Sequence, residues 1–277
     1  MTRPRLDVLG AINQDVVARV QRAPALGETV ADGVLTHQAG GKGANQAAAA
    51  ARLGASVRML GAVGQDAAAE QMRHALTSAG VDVSAVQTAD DATGTALITV
   101  DAAGENSIVV CPGANSRIDA ARFERDPAVP VLAQLEVPGD VVDHLARTST
   151  GLFALNVSPA RELGPLLWDR VGLFIVNEGE YAALPRLATA SLVALTLGAE
   201  GAVLLRGGVR VASAPSVPTS VVSTVGAGDA FAAALTVALL RGLDDETALR
   251  AACAVGAAAV ADERSQPLLQ PLDAYVG

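Results

Sequence analysis

The sequence predicts a three-layer α/β/α domain with a mainly parallel central sheet and a small β-sheet lid. Three observations favour this fold. Strand-like and helix-like segments alternate along most of the 277 residues, which is typical of right-handed βαβ units. Apolar residues make up 51% of the chain, largely as alanine and valine, and such small side chains suit helices packed closely on a sheet. Two extended stretches interrupt the alternation and form the predicted lid.

The alternation begins near the amino terminus. Glycine readily adopts the left-handed conformation that ends a helix, and aspartate accepts hydrogen bonds from first-turn amides. These residue types therefore mark the predicted helix ends. The elements, in order, are a strand over Arg5–Ala11, a helix over Gly41–Leu53 that stops at Gly54, a strand over Val57–Gly61, and a helix from Asp66 to Ala79 that stops at Gly80.

The lid is predicted from two separate segments, at about residues 12–38 and 93–112. In the second segment Thr95–Val100 and Asn106–Cys111 flank a polar turn, which indicates a hairpin. The later strands are predicted at Val131–Leu135, Leu152–Asn156, Leu173–Val176, Leu192–Leu197 and Ala202–Arg206, and the later helices at Asp140–Arg147, Ala227–Arg241 and Asp245–Ala261. No repeat or flexible linker separates these elements, so we predict one domain over residues 1–277.

Charge and composition argue against several classes of partner. The formal net charge of −9 gives an acidic surface that repels nucleic acids and anionic lipids. The longest apolar run, Ala230–Leu240, is far shorter than the ~18 residues that a membrane-spanning helix needs. Cys111 and Cys253 make no disulfide framework and are expected to be buried thiols. We therefore predict a cytoplasmic protein without nucleic-acid or membrane partners.

The clearest functional signal is Ser223–Asp229 (STVGAGD), which precedes a long apolar helix. Glycines at a helix start let the chain turn tightly and direct successive N–H groups outward. Together with the positive end of the helix, these groups favour an anion such as a phosphate. A phosphate site alone would not need a carboxylate. Asp229 is therefore either the N-cap of the helix or a base that accepts a proton from a substrate alcohol.

Other segments carry polar groups at positions where ligands bind. Gly40–Asn45 (GGKGAN) indicates close approach of the backbone to a polar ligand, or alternatively a tight turn into an alanine-rich helix. The oxygen side chains of Asn177–Glu180 suit a hydrated Mg²⁺, but they also fit an ordinary helix start. Asn13, Asp15 and Glu136 follow strands, where open α/β sheets bind ligands, and each is a candidate for sugar hydroxyls or an ordinary loop residue.

Together these segments resemble the PfkB family of sugar kinases, and within it the ribokinase branch. The first family pattern is matched by Gly40, Gly41, Asn45, Ala47, Gly54 and Gly64. The second is matched by Ser223, Thr224, Gly226, Ala227, Gly228, Asp229, Ala233 and Ala234. Shorter landmarks of the branch, including Gly113–Asn115, Gln134–Glu136 and Leu155–Glu162, follow in family order along nearly the whole chain.

The resemblance implies a ribokinase-like fold and ATP-dependent phosphorylation of D-ribose at its 5-hydroxyl, with Mg²⁺ and a homodimer formed through the lids. It implies Asp229 as the base, with Gly226, Ala227 and Gly228 forming the anion hole. It assigns the sugar to Asn13, Asp15, Gly40, Gly41, Lys42, Asn45, Glu136 and Asp229. It assigns the nucleotide to Asn177, Thr196, Gly198, Gly201 and Gly228, and Mg²⁺, through water, to Asn177 and Glu180.

Two regions depart from the family pattern. Ser223 replaces an aspartate that helps to hold an activating monovalent cation, and Asp262–Pro267 lacks an expected glycine. A potassium site at Ser223 and Val225 is therefore doubtful, and we expect weak potassium dependence. The chain between Tyr181 and Leu192 is also shorter than in typical ribokinases, which predicts the loss of a helix.

Two alternative functions stay open at this point. One is a related kinase for a nucleoside or another sugar, because a single changed pocket wall would alter specificity. The other is a non-catalytic sugar- or nucleotide-binding protein. The presence of Asp229 argues against the second alternative, since a protein that only binds has no need of a base.

Overall fold

The computed structural model describes residues 3–277, which contain thirteen strands and seven α-helices. The strands are β1 (Arg5–Leu9), β2 (Asn13–Arg19), β3 (Val34–Gly40), β4 (Ser56–Val63), β5 (Val86–Thr88), β6 (Gly94–Val100), β7 (Asn106–Cys111), β8 (Val131–Ala133), β9 (Phe153–Asn156), β10 (Leu173–Asn177), β11 (Val193–Thr196), β12 (Ala202–Arg206) and β13 (Val209–Ala214). The helices are α1 (Lys42–Arg52), α2 (Ala67–Ser78), α3 (Gly139–Thr148), α4 (Pro165–Arg170), α5 (Glu178–Ala183), α6 (Ala227–Leu240) and α7 (Asp245–Val260).

Nine strands form the main sheet in the order β13-β12-β11-β10-β9-β8-β1-β4-β5. Its strands run parallel except for β12, which pairs antiparallel with both β11 and β13. The mainly parallel sheet predicted from the alternation is thus confirmed. The pattern missed β13, because this edge strand buries only two of its six residues and gives little hydrophobic signal.

Alternate residues of the central strands point to opposite faces of the sheet and build two cores. Leu6 and Val8 of β1 pack in the core that contains α1, α2, α6 and α7. Leu9 lies on the opposite face of the sheet and belongs to the core that contains α3 and α4. Each face is therefore covered by helices, which confirms the three-layer arrangement.

Helix α6 is buried around most of its circumference. It packs against α1 on one side and α7 on the other, and residues 230–238 are all buried. A helix that is apolar all round is stable only inside the protein, and alanine allows its neighbours to approach closely. This packing fixes the position of the α6 amino terminus, where the Ser223–Asp229 segment lies.

Most predicted helix ends are confirmed. Asp66 is the N-cap of α2, and its Oδ1 accepts a hydrogen bond of 2.9 Å from the amide of Ala69. Gly54 and Gly80 follow α1 and α2 with positive φ values of 101° and 88°. The short helix α4 was not predicted, because six residues are too few to show a helical period. For α5 the sequence indicated only a possible helix start at Asn177–Glu180.

The shortened stretch between Tyr181 and Leu192 contains the end of α5 and a 3₁₀ turn at Pro185–Thr189. Leu187 in this turn is fully buried in the core beside α3 and α4. The stretch therefore still covers part of the sheet. Of the two cysteines, Cys253 is buried as expected, whereas Cys111 is exposed on β7, where the expectation of a buried thiol is wrong.

The lid is a four-stranded sheet in the order β3-β2-β6-β7, as the resemblance implied. β2 and β6 are parallel, and the two outer pairs are antiparallel. Asn115 holds the start of the lid: its Oδ1 accepts from the amide of Ile12 at 2.9 Å, and its Nδ2 donates to the Ile12 carbonyl at 3.2 Å. A Cβ at Gly94 would lie 2.1 Å from that Nδ2, so glycine is required there.

No helix within residues 3–277 is both long and apolar enough to cross a membrane. The predicted extent of a single domain over residues 1–277 stays a prediction.

Candidate active site

A cleft of about 380 Å³ lies between the lid and the carboxyl ends of the main-sheet strands. We call it the lid cleft. Its roof consists of the lid residues Ala96, Ile98, Val100, Asn106, Ile108 and Val110, all of which are apolar except Asn106. The other walls gather most of the predicted site residues, namely Asn13, Asp15, Gly41, Lys42, Asn45, Glu136, Asn177, Glu180, Thr196, Val225, Gly226, Gly228 and Asp229. Residues far apart in sequence thus meet at one place.

A second pocket of about 680 Å³ lies beside the first, between α6, α7 and the end of β13. We call it the α6–α7 pocket. It contains the predicted residues Thr196, Gly198, Gly201, Ala227 and Gly228. Thr196, Thr224 and Gly228 border both pockets, so the two cavities meet at the amino terminus of α6.

The Gly226 turn directs the start of α6 toward this junction. Gly226 is the N-cap residue and has φ 79°, in the left-handed region that favours glycine. A Cβ there would also lie 2.2 Å from the carbonyl oxygen of Ser265. The amides of Gly228 and Asp229 lie in the first helical turn, where no preceding helical carbonyl can accept from them. Both amides are suited to an anion. Of the implied anion hole of Gly226, Ala227 and Gly228, the Ala227 amide donates to the Thr224 carbonyl at 3.4 Å.

Asp229 does not cap α6, so the N-cap alternative is wrong. It is the third residue of the helix, and its carboxylate is directed toward α1. There Oδ2 accepts from Asn45 Nδ2 at 3.1 Å, and Oδ1 accepts from Gln46 Nε2 at 2.9 Å. The residue is 7% exposed and that exposure faces the lid cleft. Burial raises the pKa of Asp229, and Lys42 and the two amide donors oppose the rise.

The glycines before α1 are explained by close packing. Gly41 has φ 85°, and a Cβ there would lie 2.6 Å from the carbonyl oxygen of Ala11. A Cβ at Gly43 would lie 2.5 Å from the carbonyl carbon of Gly10. The segment is therefore a tight turn into a helix, and this turn also brings Lys42 and Asn45 to the lid cleft.

Three carboxylates and one ammonium group share the floor of the cleft. The amide of Lys42 donates to Glu136 Oε2 at 3.0 Å, and its Nζ lies 3.9 Å from Glu136 Oε1. Burial and the nearby Glu136 raise the pKa of Asp15 to about 7. Burial also raises the pKa of Glu136, although Lys42 opposes this. Burial tends to lower the pKa of Lys42. The charges of Asp229 and the other nearby carboxylates outweigh this effect, so the pKa of Lys42 is raised overall.

The asparagines of the cleft are oriented by their neighbours. Asn115 Nδ2 donates to Asn13 Oδ1 at 2.8 Å, so Asn13 has its own amide hydrogens left for a ligand. Asn45 Nδ2 donates to Asp229 Oδ2, and the buried Oδ1 of Asn45 has no hydrogen-bond partner within residues 3–277. One side chain thus offers a donor and the other an acceptor. A third predicted residue, Gly40, lies behind the cleft and leaves space for Asp15, because a Cβ there would lie 2.1 Å from the Asp15 carboxylate.

Asn177 and Glu180 cap α5 and also line the lid cleft. Asn177 Oδ1 accepts from the Glu180 amide, and Glu180 Oε2 accepts from the Asn177 amide, both at 2.8 Å. The interpretation as an ordinary helix start is therefore correct for these contacts. Glu180 Oε1 takes no part in this pair. A single carboxylate oxygen at the cleft suits a hydrated Mg²⁺ held through water, because Mg²⁺ keeps most of its waters.

Several lining residues were not predicted. In the lid cleft these are Asn156, Ser158, Ile175, Val176 and Thr224, together with the residues of the roof. Gln46 was also missed, although a polar pair inside an alanine-rich helix could have drawn attention to it. The rest of the α6–α7 pocket, formed by Ser216, Val217, Pro218, Thr219, Val221, Phe231, Cys253, Gly256, Ala257 and Val260, carries no motif that the sequence alone would reveal.

Ser223 lies outside the residues that line the two pockets, and its Oγ accepts from the Val225 amide at 3.3 Å. The neighbouring carboxylate, Asp262, is already paired. Its two oxygens accept from the Arg264 side chain at 2.8 Å and from the Leu268 amide at 3.1 Å. Ser223 has no carboxylate and the carboxylate of Asp262 is already paired, so neither residue offers a free carboxylate to a monovalent cation.

A model of the pfkB family of carbohydrate kinases matches residues 3–146 and 176–271. The chain belongs to this family. This pfkB kinase is similar to the ribokinase of Bacillus subtilis, with 38% identity over 260 residues that cover 88% of each chain. It is 32% identical to the ribokinase of Haemophilus influenzae over 290 residues, which cover 95% of this chain and 94% of that one.

The fold of the pfkB kinase also matches solved structures. Arabidopsis thaliana ribokinase complexed with ribose and ATP superimposes with a TM-score of 0.90 and 28% identity, covering 99% of this chain and 98% of that one. The match extends over both the main body and the lid. The ribokinase-like α/β fold is therefore established for this chain.

Proposed function

We propose that this kinase transfers the γ-phosphoryl group of ATP to the 5-hydroxyl of D-ribose, giving D-ribose 5-phosphate and ADP. The observation that carries the proposal is the position of Asp229. Its buried carboxylate lines the lid cleft in the first turn of α6, next to Gly228, which borders both the lid cleft and the α6–α7 pocket. The similarity to ribokinases over nearly the whole chain supports ribose as the acceptor.

The carboxylate and the amides would divide the chemistry between them. Asp229 accepts the proton of the sugar hydroxyl as the hydroxyl oxygen forms a bond to the γ-phosphorus. The bond from that phosphorus to the bridging oxygen of ADP breaks at the same time, and ADP keeps the electron pair. The anion hole implied at Gly226, Ala227 and Gly228, with the adjacent Asp229 amide, would then face the negative charge on the transferred group, where fixed N–H dipoles stabilise it most effectively. The raised pKa makes Asp229 a stronger base than an exposed aspartate.

The lid cleft offers complementary partners to a neutral polyol. Asp15 and Glu136 can accept from sugar hydroxyls, Asn13 can donate, and the roof can cover the carbon skeleton. A sugar that lacks one hydroxyl would leave a buried polar group unpaired, which costs binding energy. Glu180 and Asn177 would hold Mg²⁺ through water, and the ion would neutralise charge on the phosphates. The use of ATP agrees with the cytoplasmic location, which stays a prediction.

Replacement of Asp229 tests the proposed reaction. In Asp229→Asn we expect kcat for ribose to fall by about 10²-fold or more, because the amide cannot accept the proton. Ribose affinity, measured by calorimetry without nucleotide, should stay within a few fold. Measuring ADP release with ribose, other sugars and nucleosides as acceptors identifies the substrate.

The control for this test is Asp169→Asn, because Asp169 is an exposed carboxylate on α4 outside both pockets. Its kcat should equal that of the wild type. Turnover only on nucleosides or on another sugar would reject ribose. Ligand binding without any turnover would instead favour a non-catalytic binding protein.

Ribose binding should depend on pH through Asp15. The ionised carboxylate is the better acceptor for hydroxyls, and its pKa is raised to about 7 by burial and by Glu136. Lowering the pH from 8 to 6 protonates it, so KM for ribose should rise by about tenfold over that range. The Asp15→Asn variant should have a high KM that no longer changes with pH. A wild-type KM that is constant from pH 6 to 8 would contradict the assignment.

We infer weak potassium dependence from the pairing of Asp262 and from Ser223, which supplies no charge. Replacing sodium by potassium at constant ionic strength should change kcat by less than about twofold, since no free carboxylate holds the cation. Ser223→Asp adds a carboxylate at the position where the family pattern has one, and is the matched comparison. A strong increase of wild-type kcat on adding potassium would contradict this inference.

We infer that two copies associate through their lids. Exposed apolar side chains lie on both edge strands, with Leu35 on β3 59% exposed and Val109 on β7 61% exposed. Sedimentation of the wild type should give twice the mass of one chain, because burying these exposed apolar side chains against a second copy favours association. The double variant Leu35→Glu/Val109→Glu should sediment as a monomer. A monomeric wild type at micromolar concentration would disprove lid-mediated association.

A further inference from the structure

Gln46 joins Asp229 to a buried chain of amide groups. It lies in the first half of α1 and has no exposed surface. Its Oε1 accepts from Gln134 Nε2 at 2.6 Å, and its Nε2 donates to Asn156 Oδ1 at 3.0 Å and to Asp229 Oδ1 at 2.9 Å. All the hydrogen-bonding atoms of this side chain are therefore used, and one of them contacts the proposed base.

A backbone carbonyl fixes the direction of this chain. Asn156 Nδ2 donates to the carbonyl oxygen of Ile175 at 3.1 Å, and a carbonyl can only accept. The amide group of Asn156 must therefore direct its oxygen toward Gln46. Gln46 must in turn direct its NH₂ group toward both Asn156 and Asp229. Rotating the Gln46 amide by half a turn would place two oxygens against each other at Asn156.

We propose that Gln46 is a positioning residue that holds the Asp229 carboxylate in its ionised, proton-accepting form. This inference rests on the proposed function. The donor on Oδ1 cannot turn away, because the Ile175 carbonyl and Asn156 determine its orientation. Asn45 holds Oδ2 from the same helix. With each oxygen held by one amide, the plane of the carboxylate is fixed, and its remaining lone pairs are left for the substrate hydroxyl.

The alternative is that Gln46 only completes the hydrogen bonding of the core. Both roles would make its loss destabilising, since buried polar groups without partners reduce stability. They differ in their effect on Asp229. A donor to a carboxylate favours the ionised form, so its removal should raise the pKa of that carboxylate. The other charged groups around Asp229 are Lys42, Asp15 and Glu136, and none of them changes in the experiment below.

The test compares Gln46→Met with Gln134→Met. Both variants replace a fully buried glutamine of the same network by an apolar side chain of similar size. Only the first removes a donor from Asp229. In Gln46→Met we expect kcat at saturating ribose and ATP to fall by about tenfold or more, and the acidic limb of the kcat–pH profile to move to higher pH. In Gln134→Met the limb should stay where it is in the wild type.

A second readout does not depend on catalysis. The ¹³C resonance of the Asp229 carboxyl, assigned by its loss in Asp229→Asn, should titrate at higher pH in Gln46→Met than in the wild type. It should titrate unchanged in Gln134→Met. If the wild type proves not to phosphorylate ribose, this measurement still tests the hydrogen bond from Gln46 to Asp229. Failure of the proposed function can therefore be told apart from failure of the positioning role. Equal titration in all three proteins, with both variants similarly less stable, would show a purely structural role and overturn the proposal.

Discussion

The site depends on the burial of one carboxylate between two helices. Asp229 stands at the start of α6, and the amides that hold it come from successive residues of α1. Because α6 is enclosed by α1, α7 and the sheet, its amino terminus cannot shift without disturbing the core. The apolar packing of α1 against α6 therefore determines the distance between the proposed base and its donors, and through Lys42 it also determines the charge beside them.

The strength of the base follows from two opposing contributions. Burial disfavours the ionised form and costs several kcal/mol for an unpaired carboxylate. A hydrogen bond to a charged group recovers roughly 1.5–3 kcal/mol, so two amides offset much of the cost without removing it. More donors or an adjacent guanidinium would lower the pKa and weaken the base, whereas fewer donors would raise the pKa further. The pair Asn45 and Gln46, with Lys42 nearby, gives an intermediate result.

The parts of the fold and of the candidate site that could be predicted from the sequence are those set by residues adjacent in the chain. The glycine-rich turns, the helix stops and the identity of Asp229 are set by conformational preferences of a few adjacent residues, and the sequence indicates them. The roles of Asn177 and Glu180 could not be separated, because the same two side chains cap α5 and line the cleft. The direction of Gln46 was beyond prediction, since it is set by the carbonyl of a residue on β10. The α6–α7 pocket is likewise formed by small polar and apolar residues that carry no motif.

Hydrogen bonds also connect the lid to the groups that we propose bind the sugar. Asn115, just after the lid strand β7, holds both the backbone of Ile12 and the side chain of Asn13. A movement of the lid about this point would rotate the amide that Asn13 offers to a ligand. If the proposed function holds, recognition of a hydroxyl and closure of the apolar roof would therefore be coupled, and closure would exclude water from the γ-phosphoryl group when an acceptor alcohol is in place. Water is the competing acceptor in phosphoryl transfer, so a cleft that closes only around a matched polyol separates kinase from ATPase activity.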